Sequence, residues 1–177
     1  MLKFVDTKVT FAEVPNEISL CISLSGCPMH CKGCHSSYLQ EDIGTPLTTE
    51  VLGNLIDENK GITCVCFLGG DNDIPQLDTL AQYVKKNYEL RTAWYSGLIF
   101  KPRMDSLVHQ HFDYIKTGPY IESLGPLTSR KTNQKMYAKG EVIHKMDMSP
   151  STFYDITDKF WKDNDTDFEE VKLDIES

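Results

Sequence analysis

Apolar and polar positions divide most of the chain into short hydrophobic runs alternating with stretches of helical period. EISLCISL, residues 17–24, mixes alternating and continuous apolar character and predicts a strand stopped by Gly26 and Pro28. TTEVLGNLIDENKG, residues 48–61, sets Val51, Leu52, Leu55 and Ile56 on one face behind a threonine cap. With Gly61 as its stop, it predicts a helix. ITCVCFL, residues 62–68, is a continuous apolar run, the pattern of a strand covered on both faces of a parallel sheet. The unit then repeats. Leu77, Leu80, Ala81, Val84 and Tyr88 recur at helical spacing, LRTAWY at 90–95 reads as a third strand, and a short helix near 105–110 leads to a fourth, FDYIK.

This alternation implies βαβ crossovers and a mostly parallel α/β sheet, either open or a partial (β/α) barrel, with KVTFAEV at 8–14 as an edge strand. QKMYAKGEVIHKM, 134–146, has a Lys-Gly turn between two strand-like runs and predicts an edge hairpin. The expected organisation is one domain over residues 1–150 and an acidic helix or tail over 151–177, where Asp and Glu crowd and apolar positions are sparse. The loops after the four strands are SGCPMHCKGC, GGDND, SG and TGPY. Each lies at a C-terminal strand end, the face where parallel α/β sheets bind ligands.

Composition narrows what those loops do. The chain has 177 residues, 40% of them hydrophobic and 25% charged, and its apolar runs fall far short of a membrane span, so no membrane role is expected. The N-terminus lacks a secretory signal pattern, which points to the cytoplasm, where clustered cysteines mean metal or redox chemistry before crosslinks. A net charge of −8 with no concentrated basic stripe sets nucleic-acid binding aside. Arg130, Lys131 and Lys135 form a small basic patch, read as a solvated face.

The densest chemistry is GCPMHCKGCHS, residues 26–36, with Cys27, Cys31 and Cys34. Three thiolates are one short of a closed zinc site, which His30 or His35 would complete. They also match three irons of a cubane cluster, leaving a fourth iron free for a small molecule. Cys21, Cys64 and Cys66 lie in predicted strands and read as small core residues. No Ser/His/Asp set or carboxylate pair stands out for acid–base catalysis.

CxxxCxxC after a first strand resembles the signature of radical S-adenosylmethionine (SAM) enzymes, and LGGD at 68–71 is similar to that family's Gly-Gly-acidic turn. Within it, SGCPMHCKGCHS, FLGGD, AWYSG, FDYIKTGPYIESLGPL and SRKTNQKMY resemble the anaerobic ribonucleoside-triphosphate reductase activating proteins over residues 17–137. The resemblance implies a partial barrel of radical SAM type. It also implies a 4Fe-4S cluster on Cys27, Cys31 and Cys34, with SAM on the open iron and Gly69, Gly70 and Asp71 holding its methionine amino group. Asp71 is one methylene shorter than the commoner Glu. Gly33 stands where the superfamily usually has an aromatic residue for adenine, although this subfamily often has glycine there. His35 stands where an aromatic commonly follows Cys34. Ser96 with Gly97 either touches SAM's ribose or carboxylate or closes a turn.

The implied activity is removal of a hydrogen atom from a partner's glycine Cα by a 5'-deoxyadenosyl radical. The implied partners are the large subunit of the anaerobic (class III) ribonucleotide reductase and a flavodoxin-type electron donor. Two alternatives remain: another small radical SAM enzyme, such as an activase of a different glycyl-radical protein, and a non-catalytic metal-binding docking module. Asp113 is expected to order its strand end, and Gly118 and Pro119 to shape the opening. Asn133 and Gln134 are expected either to bind partner backbone or to satisfy buried main chain.

Overall fold

The computed structural model describes residues 1–144 and 147–161. Its eight strands are β1 (Lys3–Thr10), β2 (Ser19–Leu24), β3 (Thr45–Pro46), β4 (Cys64–Leu68), β5 (Arg91–Tyr95), β6 (Tyr114–Thr117), β7 (Lys135–Lys139) and β8 (Phe153–Asp155). The helices are α1 (Thr49–Glu58), α2 (Ile74–Asn87) and the single turn α3 (Gly140–Ile143). They form one mixed α/β sheet in the order β3-β1-β2-β4-β5-β6-β7-β8. The four central strands β2, β4, β5 and β6 are parallel. The flanking pairs β1–β2, β1–β3, β6–β7 and β7–β8 are antiparallel, so the expected parallel pairing holds for the centre alone. β3 and β8 are the two edges, and the sheet is open.

Each crossover helix starts on its own cap. Thr48 accepts from the Val51 amide at 3.2 Å to begin α1, and Asp73 accepts from the Gln76 amide at 3.2 Å to begin α2. Lys85 and Lys86 in the last turn of α2 complement the carbonyl end of its dipole. Alternation along the strands then sorts the core into two faces. Leu20, Ile22, Val65, Phe67, Trp94 and Ile115 point to the side covered by Leu52 and Ile56 of α1 and by Leu77, Leu80, Ala81 and Val84 of α2. Cys21, Cys64, Cys66, Ala93, Tyr114 and Met136 point to the other side, where Val14, Leu127, Ile156, Phe160 and the α3 residues Val142 and Ile143 cover them instead of a crossover helix. The three strand cysteines are free thiols, all buried.

Asp113, wholly buried before β6, accepts from the Thr92 amide at 2.8 Å and from Lys85 Nζ at 2.7 Å, pinning β5, β6 and α2 together.

Three local expectations change. The helix near 105–110 is one 3-10 turn at His109–His111. The strand expected at the edge over 8–14 lies at Lys3–Thr10 and is internal, since β3 pairs outside it; the chain after it turns away, carrying Val14 onto the second core face. The 134–146 hairpin does not form: β7 runs into α3, and its partner strand is β8, because Gly140 takes the Ser149 carbonyl against the place a side chain would fill. Of the 151–177 stretch, Phe153–Asp155 and Thr157–Phe160 form β8 and a 3-10 turn; residues 162–177 lie outside the described residues.

Candidate metal and cofactor site

The loop from Ser25 to Gly44 leaves β2 and is tied back by its own main chain. The Gly26 amide donates to the Glu41 carbonyl at 3.0 Å, the Cys27 amide to the Leu39 carbonyl at 2.9 Å, and the Cys34 amide to the Cys31 carbonyl at 3.3 Å. Leu39 is buried and anchors the return. The loop packs on its neighbours through glycines. A Cβ on Gly26 would meet Asn72 Nδ2 at 2.6 Å, and one on Gly97 would meet Met29 Cγ at 2.5 Å. Close approach of three loops therefore requires Gly26 and Gly97 to lack side chains. Gly26 also sits at φ +75.

Cys27, Cys31 and Cys34 are half-buried free thiols that line a hollow of about 570 Å³ above the parallel strands. Gly69 and Asp71 after β4, Ser96 and Gly97 after β5, and Lys116 with Pro119 on β6 and its loop line the same hollow. Gly70 lies one step back with φ +101, packed on Leu77 and Leu24, and so shapes the turn that presents Asp71. The loops after the four central strands thus meet at one place.

Asp71 is held from β5: Ser96 Oγ donates to Oδ1 at 2.6 Å and the Gly97 amide to Oδ2 at 2.8 Å. Ser96 Oγ also accepts from the Leu98 amide at 3.0 Å, so this hydroxyl closes its own turn and orients Asp71. Lys116, missed in the sequence reading, is the cation of the site. Its ammonium donates to the carbonyls of Ser96 at 3.2 Å and Gly118 at 2.7 Å. Burial pushes its pKa down to about 8, against the opposing pull of Asp71, Cys31, Cys27 and Cys34, in that order. Burial likewise pushes the Cys27 thiol up; a hydrogen bond with the Met29 backbone opposes this, while Asp71 and the other two thiols add to it. Burial and its neighbours thus disfavour a thiolate at Cys27, and positive iron would offset both.

His35 and Tyr120 bring their rings to 6.0 Å at a 53° tilt, both on the hollow. Gly33 sits at φ +75, and a Cβ there would meet the Glu122 carboxyl at 3.2 Å, so the Tyr120–Glu122 segment occupies the place a larger residue would need. His30 is turned to Gln40 Oε1 at 3.1 Å. Asn133 donates to the Pro119 carbonyl at 3.0 Å and so serves main chain, while Gln134 lines the hollow. In the basic patch, Arg130 lies over the Trp161 ring and Lys135 reaches Asp155 at 3.7 Å. Two signals for the missed residues were present in sequence: a lysine in the strand-like run FDYIK, two positions from Tyr114 on the same face, and a tyrosine directly after Gly-Pro.

Among the described residues, no three or more His, Cys, Asp or Glu side chains converge as they would round one metal ion. A cubane takes one thiolate per iron and so a wider set, and three free thiols on one hollow beside a buried ammonium suit a ligand of that kind.

The chain belongs to the family of the 4Fe-4S single cluster domain, whose model matches residues 18–137, from β2 into β7. An iron–sulfur function follows from that membership. Neither a curated protein nor a solved structure matches the chain. No helix among the described residues is long and apolar enough to cross a membrane.

Proposed function

We propose that the protein is a SAM-dependent iron–sulfur activase that generates a glycyl radical on the large subunit of an anaerobic ribonucleotide reductase, with a flavodoxin-type protein as electron donor. The observation that carries the reading is the convergence of the three loop thiols, the Asp71 carboxylate and the Lys116 ammonium on one hollow. A zwitterionic methionine end needs an anion for its ammonium and a cation for its carboxylate, and Asp71 and Lys116 supply the two charges. Cys27, Cys31 and Cys34 would hold the cluster. Both groups, when bound, would supply the one-electron chemistry that removes a hydrogen atom from a glycine Cα.

The residues of the chain orient and shield rather than transfer protons. Ser96 and the Gly97 amide fix both oxygens of Asp71, so the carboxylate is preorganised before a ligand arrives. Met29, seated on Gly97, links the thiol loop to that clamp. His35 and Tyr120 offer ring surface beside Cys34, a place for adenine that does not need an aromatic at position 33.

The test is anaerobic reconstitution followed by addition of SAM, reductant and the reductase large subunit. The expected result is about four irons per chain, 5'-deoxyadenosine, and a glycyl radical by electron paramagnetic resonance. SAM cleavage without a radical on the reductase would remove the partner assignment. Stoichiometric zinc without SAM cleavage would favour a docking module.

A further inference from the structure

Gln134 immediately precedes β7 and lines the hollow, yet the residue is only 6% exposed. Its backbone amide is satisfied by Thr132 Oγ1 at 3.0 Å, while its side-chain amide has no hydrogen-bond partner among the described residues and keeps its polar atoms open to the hollow. Neighbouring Asn133 spends its Nδ2 on the Pro119 carbonyl, so the two adjacent amides have different employment. A carboxamide held by a nearly buried residue, spent on no protein partner and facing the hollow, presents one donor group and one acceptor to whatever enters.

The wall around Gln134 differs from the thiol end. Leu127 and Phe160 from the second core face line the hollow, as do Tyr95 and Leu68, and the exposed Pro126 and Thr128 form its rim. Apart from Glu13, whose carbonyl accepts from the Tyr95 hydroxyl, these are uncharged surfaces, open at an exposed loop. A ligand that enters there is neutral and apolar in its flanks and carries a donor and an acceptor side by side. An extended peptide main chain has that chemistry, since each amide presents N–H and C=O within reach of a carboxamide's own C=O and NH₂.

We infer that Gln134 is a substrate-positioning residue that grips a main-chain amide of the incoming peptide. The inference rests on the proposed function, in which the substrate is a peptide glycine. By fixing a peptide unit next to the reacting residue, this grip sets which Cα faces the cofactor. The 6-amino and N7 edge of adenine offers the same donor–acceptor pair and is the competing ligand for this side chain.

The test uses reconstituted protein with SAM and the peptide acetyl-Ala-Gly-Ala-amide. Its dissociation constant is read by ligand-detected saturation-transfer NMR, with each peptide amide N-methylated in turn. One N-methylation is expected to weaken binding to the native protein roughly tenfold, the scale of losing a shielded hydrogen bond and leaving its partner unpaired. That penalty is expected to vanish in Gln134→Leu, which keeps the side chain's size, and to persist in part in Gln134→Glu, which keeps an acceptor.

No peptide binding to the native protein, or an N-methyl penalty equal in native and Gln134→Leu proteins, would overturn the inference. So would a Gln134→Leu variant that loses SAM affinity and keeps peptide affinity, which would assign the amide to adenine. The proposed function is read separately. Gln134-dependent peptide binding with no radical on the reductase sinks the activase reading alone. A radical on the reductase with Gln134-independent peptide binding sinks only the present inference.

Discussion

Replacing Lys116 with methionine removes one charge from the hollow while keeping an unbranched side chain of similar reach. In the metal-free protein this lysine has a pKa of about 8 instead of 10.5, principally because burial penalises its charged form. At about 1.4 kcal/mol per decade of proton affinity, the difference corresponds to roughly 3 kcal/mol. The sign follows from proton counting. Below pH 8 the ammonium is charged in both the folded and unfolded chains, and its burial cost is fully present. Between pH 8 and 10.5 the unfolded chain binds the proton more tightly than the folded one, so stability rises with pH. Above that range both forms are neutral and the cost is gone. The loop thiols are present in both proteins, so the difference between native and Lys116→Met reads the lysine together with its attraction to them. The variant also loses two donors to the Ser96 and Gly118 carbonyls, an offset independent of pH. Urea unfolding of both metal-free proteins under reducing conditions, from pH 7 to 11, should show the native protein gaining roughly 3 kcal/mol on the variant across the range. Parallel curves would refute the placement of a buried, partly neutralised lysine in this site.

Four further outcomes are expected. Cys34→Ala should fail to retain the cluster, read as lost iron and lost visible absorbance after reconstitution. Cys66→Ala should keep the cluster and cost about 1 kcal/mol in urea unfolding, the scale of deleting one buried heavy atom; cluster loss there would contradict its place in the core. Gly97→Val should drive Met29 off its seat, costing about 1–3 kcal/mol by overpacking and weakening SAM binding in equilibrium dialysis. Asp113→Ala should cost about 1–3 kcal/mol, because it leaves the buried Thr92 amide without its acceptor while Lys85 can turn to water, and a loss under about 0.5 kcal/mol in urea unfolding would show that the contact carries little.

The parts of the protein visible in sequence are those decided by short-range chemistry. The period of Leu77, Leu80, Ala81 and Val84 belongs to one helix and needs no partner to be recognised, and the run CVCFL announces a strand buried on both faces. The cysteine spacing is likewise contained in eight positions. The antiparallel flanks were harder, because β7 has two strand-like neighbours in sequence and joins β6 and the distant β8 instead. That choice depends on Gly140 meeting Ser149, a contact between residues nine positions apart that no periodicity encodes.

By itself, then, the sequence determined the thiol loop, the central strands and the fact that their ends carry glycine-bearing loops. Only the tertiary structure decided which side chains share the hollow with the thiols. Lys116 became a site residue because β6 pairs beside β5 and turns its ammonium toward the Ser96 carbonyl. Gln134 became one because β7 folds back antiparallel against β6, and Tyr120 because Gly33 leaves space for its loop. The physical reason is range. Helical and strand periods and loop glycines act within a few residues, whereas a buried charge and an unpaired amide take their character from neighbours that only folding brings near.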